Sequence, residues 1–232
     1  MRARGALPVY CRILLAAVAG FLLVQPCMAA ERYADFRAHI EYKDGERAAA
    51  RSGAAMASHR HARLDVRLGK AGDFTLLVDM EARKMRVLSQ RLKAYVEADV
   101  QGDPRSWRDL LQSASAVLMP QSLGLVSLDL KEREELGRES AQGYTASRSR
   151  NVFTLGFMGS YRDISVTVWE NDAFAPFPLK AEVAEDKRTR GGSVFLTEIV
   201  SVREKEELFL VPHDFTRYTS VMDLLLFAIT AF

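Results

Sequence analysis

Residues 36–42 read Phe-Arg-Ala-His-Ile-Glu-Tyr, so that Phe36, Ala38, Ile40 and Tyr42 alternate with Arg37, His39 and Glu41. Apolar side chains at every second position fall on one face of an extended chain and polar ones on the other, which predicts a half-buried strand. The same period recurs along the chain. Leu64, Val66 and Leu68 alternate with Arg63, Asp65 and Arg67, and Phe74, Leu76, Val78 and Met80 repeat the pattern, as do Ile164, Val166 and Val168. Residues 85–87, 94–96, 179–183, 193–202 and 208–211 are shorter or less regular candidates. Asp44-Gly45, the stretch from Gly69 to Asp73, and Arg190-Gly191-Gly192 supply turn residues between them. Many closely spaced strands without regular intervening helices predict an antiparallel sheet rather than βαβ units.

One helix interrupts the strands. Asp103 is placed to cap it and Pro104 to occupy its first turn. Trp107, Leu110, Leu111, Ala114, Val117 and Leu118 then follow at helical spacing on one side, and Met119-Pro120 ends it. Such a stripe must lie on the sheet or across an opening in it. Residues 130–137 read as a short helical turn or a polar loop, and the Ala-rich residues 46–58 as a loose loop or a short helix. The last twelve residues, VMDLLLFAITAF from Val221 to Phe232, are too short to span a bilayer. They read as an element closing the core, with an apolar plug or a partner contact as the alternative.

The first thirty residues form a separate unit. Arg2, Arg4 and Arg12 are followed by an apolar run from Ile13 to Val24, a break at Pro26, and Cys27-Met28-Ala29-Ala30. A basic start, a short apolar segment and small residues at its end predict a secretory signal peptide cut after Ala29 or Ala30. Gln25-Pro26 before Cys27 fits poorly with the small residues that precede a lipidated cysteine. The predicted organisation is thus a signal peptide at 1–30, one β domain at 31–220 and an apolar segment at 221–232. Both cysteines, Cys11 and Cys27, lie in the leader, so the exported part offers no disulfide, thiol nucleophile or cysteine metal ligand. Three of the 32 Lys+Arg and none of the 30 Asp+Glu fall there, which leaves 29 basic against 30 acidic residues, a net −1. The basic charge of the precursor belongs to its leader and speaks for no nucleic-acid partner.

Catalytic groups do not stand out. Of the four histidines, His39, His59, His61 and His213, only His59 and His61 have a spacing that suits a shared metal, and no third ligand follows. There is no G-x-S-x-G elbow and no phosphate-cradling glycine loop. Lys187-Arg188-Thr189-Arg190 before Gly191-Gly192 reads as a solvated hairpin tip, with an anion contact as the alternative. What remains is aromatic: Trp107, Phe153, Phe157, Trp169, Phe174 and Phe177. These are core residues or, in a curved open sheet, the lining of an apolar cavity.

Four segments in order carry a resemblance. They are Lys93-Ala94-Tyr95-Val96-Glu97, then Glu135 to Glu139 with Gly143-Tyr144, then Val168-Trp169 with Pro178 to Glu182, and finally Leu208 to Pro212 with Phe215. Over residues 35–218 the chain resembles secreted bacterial domains of the outer-membrane lipoprotein carrier superfamily. The resemblance implies a mainly β fold with α: an unclosed antiparallel β-barrel, or half-barrel, covered by one or more helices. It implies no enzyme activity and no cofactor. The expected function is a non-catalytic periplasmic binding module for an acyl chain or a lipidated protein, in transient contact with an envelope membrane. Trp107, Leu110, Leu111, Ala114, Val117, Phe153, Phe157, Trp169, Phe174 and Phe177 are the candidate lining, and the helix is the lid. The alternative is a structural or interaction domain whose core its own side chains fill.

Overall fold

A computed structural model describes residues 36–44, 50–67, 72–118, 126–157, 160–184, 191–203 and 205–219. The leader, the segment 221–232, the expected hairpin tip at 187–190 and the Met119-Pro120 stop lie outside the described residues. The strands are β1 (Phe36–Asp44), β2 (Ala50–Ala57), β3 (His61–Arg67), β4 (Asp73–Asp79), β5 (Lys84–Ser89) and β6 (Ala94–Asp99). The helix α1 (Trp107–Leu118) follows, then β7 (Val126–Ala141), β8 (Tyr144–Phe157), β9 (Ser160–Glu170), β10 (Lys180–Val183), β11 (Gly192–Ser201) and β12 (Thr216–Tyr218). They form one sheet in the order β12-β6-β5-β4-β3-β2-β1-β11-β10-β9-β8-β7, antiparallel except where β12 pairs with β6.

The alternation read from the sequence sets the faces. Phe36, Ala38, Ile40, Ala55, Ala57, Ala62, Leu64, Leu76, Val78, Met85, Val87 and Val96 point to one side and are buried. The helix contacts both β6 and β7, strands from opposite ends of the sheet order. Only a sheet curled around its apolar face brings those ends to one 12-residue helix. The sheet remains open, because its edge strands, β12 beside β6 and β7 at the other end, do not pair. This is the unclosed half-barrel with a helix that the resemblance implies.

Two expectations change. Residues 130–137 are neither helix nor loop but the middle of β7, the longest strand, which pairs along its whole length with β8. Beyond Leu130 the strand carries charge instead of an apolar alternation, so it has no period-two signal. The backbone ladder to β8 holds it, with exposed cross-strand pairs alongside, among them Glu134 with Arg150 at 2.7 Å and Glu139 with Arg148 at 3.1 Å. As the outermost strand it is charged along most of its length past Leu130, with Leu136 the exposed apolar exception, and such charge discourages pairing with other chains. Gln142-Gly143 closes the hairpin in two residues, both at positive φ, as a tight turn matching strand twist requires.

The Ala-rich stretch 46–58 contains β2, held between β1 and β3. Its small residues suit a strand that its neighbours approach closely. At Gly53 a Cβ would run into the backbone carbonyl of Asp65 on β3. Overpacking a backbone contact costs about 1–3 kcal/mol. Gly53→Ala is therefore expected to lower the unfolding free energy by an amount in that range, read as a lower urea midpoint with an unchanged slope. An unaltered midpoint would show that the β2–β3 spacing is not tight.

Candidate functional site

The candidate site is the seam between α1 and the concave face of β7, β8 and β9. The helix begins later than its sequence suggests. Ser106 immediately precedes it, and the Ser106 hydroxyl accepts the Asp109 amide at 3.4 Å. Asp109 in turn accepts the Asp103 amide at 2.7 Å, which ties the turn before the helix to its first turn. Asp103 caps the turn before the helix instead, by accepting the Arg105 amide at 2.9 Å. Capping at Ser106 fixes the phase of the helix. Trp107, Leu110, Leu111 and Ala114 then face inward, and each is buried.

Trp107 meets Phe153 of β8 edge-on, with ring centroids 5.9 Å apart. Its indole N–H donates to Oε1 of Glu170 at 2.5 Å. Glu170 ends β9 and is only 4% exposed. Arg133 of β7 approaches its other oxygen at 3.9 Å and also pairs with Glu135. Arg108, itself buried, adds its charge from the helix. Sequence period had marked none of these charged residues as interior. Ser149 and Asn151 on β8 are fully buried beside them, and the Asn151 amide donates to the Ser149 hydroxyl at 3.2 Å. The seam thus has an apolar part around Phe153 and a polar part around Glu170.

Burial pushes the Glu170 carboxyl above the usual carboxylate range. Arg108, the Trp107 N–H and Arg133 pull it back, while Glu135 adds to the rise. Burial likewise lowers the Arg108 guanidinium, reinforced by Arg133 and opposed by Glu170, Asp109 and Glu135. One carboxylate is therefore shared between two cations in a dry setting. Glu135 and Asp109 are the other acids that act on this cluster, and no nucleophile with an activating base accompanies it among the described residues.

The sequence candidates divide into three groups. Trp107, Leu110, Leu111, Ala114 and Phe153 come together at the seam. Phe174 and Phe177 belong to a second cluster, where the Phe36 ring meets them edge-on at 5.3 and 6.4 Å and Tyr144 meets Phe174 at 4.7 Å. Trp169 joins neither. It lies one residue out of step with Val168 and Glu170, pairs with Arg148 and Lys180 across its neighbours, and has both cations over its ring at 5.2 and 4.4 Å. Its N–H donates to Glu139 at 3.2 Å, so this tryptophan serves the opposite face. Val117 is on α1 and Phe157 is the last residue of β8. The two histidines at metal-like spacing gain no further metal ligand among the described residues. His59 sits exposed in the bend before β3, and His61 on β3 stacks against Phe209 at 5.5 Å.

No family model and no curated protein matches the chain. Several solved structures align with it at low similarity. An uncharacterized conserved protein from Thermus thermophilus is 10% identical, with a TM-score of 0.45 over 81% of this chain and 91% of that one. Lipoprotein LppX from Mycobacterium tuberculosis is 12% identical, with a TM-score of 0.30 over 84% and 97%. A domain from Vibrio parahaemolyticus, described as outer membrane lipoprotein-sorting, is 9% identical, with a TM-score of 0.27 over 77% and 90%.

The raised Glu170 pKa has a measurable sign. The folded chain holds that proton at pH values where the unfolded chain has already released it. The stability contributed by the group is thus full below the ordinary carboxylate value and is lost as pH rises through the raised one. Glu170→Gln removes this dependence. Urea midpoints of the two proteins from acid to neutral pH should show wild type losing stability relative to E170Q as pH rises. A pH-independent difference would contradict the assignment.

Proposed function

We propose that the chain is a non-catalytic binding module of the bacterial envelope that takes an acyl chain, free or on a lipidated protein, under α1. A signal-peptide-like leader supports export. The reading rests chiefly on one observation: the buried charges described at the seam gather where the helix meets the sheet. Replacing a buried ion pair by apolar side chains is often neutral or stabilising, whereas breaking one partner's contacts costs several kcal/mol. A charged fastening is thus a poor glue but a selective one, because it favours one seating of the helix over all others. Lifting α1 would expose the apolar sides of Leu110, Leu111, Ala114 and Phe153 to a guest, worth roughly 25 cal/mol per Å² of apolar surface covered.

A second reading has its own support. Trp107, Leu110, Leu111, Ala114, Phe153, Phe174 and Phe177 are all at most 7% exposed, so in this state the interior is occupied by the protein's own side chains. On that reading the domain is a packed scaffold for a protein partner and needs no lipid.

Trp107→Phe separates the two, since it keeps an aromatic body but removes the N–H held by Glu170. Uptake of a fluorescent fatty acid, followed by stopped flow, should be slow in wild type and several-fold faster in W107F. Lipid extraction and native mass spectrometry of purified wild type should recover bound acyl chains. No uptake by either protein, with no extractable lipid, sinks the acyl reading and leaves the scaffold.

A further inference from the structure

Two polar atoms on the sheet side of the seam are buried without a hydrogen-bond partner among the described residues: the side-chain oxygen of Asn151 and Nε of Arg133. Asn151 is fully buried on β8, and its amide nitrogen already donates to the Ser149 hydroxyl at 3.2 Å. Arg133 turns a terminal nitrogen to Glu135 and, at 3.9 Å, to Glu170, so its Nε is not engaged there. The two residues stand opposite each other on the β7–β8 ladder. Facing residues on one side of a sheet have Cβ atoms about 4.5–5.5 Å apart, so a single small group reaches both. A buried acceptor left unmet is costly, and native interiors seldom keep one without a use.

The surroundings fix the character of the group that would meet them. Charge is already matched, because Arg108 and Arg133 act on Glu170 together with Glu135 and Asp109. A carboxylate or phosphate head would bring one more negative charge into a dry site where acids already outnumber cations. An ammonium head would meet the Arg133 guanidinium at close range. What remains unmet is one acceptor and one donor, side by side. An uncharged hydroxyl serves both, since it donates its hydrogen and accepts on its oxygen. The ladder also sets polar and apolar parts in line. Arg133, Asn151 and Val166 form one rung across β7, β8 and β9, and Leu130, Phe153 and Ile164 form the next on the same face. Same-face neighbours along a strand are about 7 Å apart, so a chain lying on Phe153 has its head over Asn151. Both hydrogen-bonding residues belong to the sheet. Trp107 and Arg108 leave with α1 when it lifts, whereas Asn151 and Arg133 stay.

We propose that this end of the seam holds the hydroxyl head of an uncharged amphiphile, with Asn151 accepting its hydrogen and Arg133 donating to its oxygen. The guest is then an acylglycerol or a long-chain alcohol rather than an ionised fatty acid. The proposal rests on the acyl reading and narrows it to one class of head.

The test is calorimetric titration of the full chain with 1-dodecanol, dodecyl methyl ether and dodecanoate, which share one chain and differ at the head. The ether keeps the oxygen and lacks the hydrogen. Wild type should bind the alcohol about tenfold more tightly than the ether, the loss expected when a buried acceptor goes unmet. Asn151→Leu is close in size and lacks the acceptor. It should bind alcohol and ether alike, with its thermal midpoint reporting that it folds. Equal affinity for alcohol and ether in wild type, a preference that N151L retains, or tighter binding of dodecanoate than of the alcohol overturns the hydroxyl assignment and leaves the acyl reading standing. Binding of none of the three overturns both. The wild-type comparison is decisive even where N151L does not fold.

Discussion

A sheet that curls without closing leaves its two ends facing each other across a gap, and here one helix spans it. α1 touches β6 at one end and β7 at the other, and chain order makes it the connection between them. The curvature of the sheet, the burial of its concave face and the phase of the helix depend on this bridge. Were α1 removed, Phe153 and its neighbours would face water, and the apolar surface that drives folding would lose its cover. Trp107 is the centre of that contact, fully buried with one face on an aromatic ring and its only donor on a carboxylate.

The carboxylate gives the bridge its character. Apolar packing alone is non-directional and would tolerate small slides of the helix. A buried acid held by an indole N–H and placed between Arg108 and Arg133 does not, because any displacement strands charges in a dry site. Such an arrangement permits one closed state and makes partly open ones costly. That is the behaviour required of a lid that is either shut or lifted, and equally of a scaffold with a single shape.

Much of the fold is legible in the sequence because burial follows a period of two. Phe36, Ala38 and Ile40 predict their own strand and face, and Leu76, Val78 and the Leu110–Leu111 pair do the same for theirs. The signal fails where apolar side chains are scarce. β7 past Leu130 is charged, and its strand character resides in β8 across the hairpin. β2 is made of residues too small to show a pattern, and its place comes from β1 and β3 on either side. Of the candidate lining, the helix residues and Phe153 are found together. Trp169 is a strand residue of the wrong parity, an assignment open only once the register with Arg148 and Lys180 is known.

The sequence by itself determined the strands whose faces alternate, the amphipathic helix among them and their antiparallel class, since these follow from side-chain spacing along one stretch of chain. Tertiary structure alone decided that the helix closes the mouth of the half-barrel and that Glu170 and Arg108 are interior. The physical reason is the same in each case. Contacts between residues tens of positions apart depend on how the whole sheet twists and curls, and no local periodicity encodes that path.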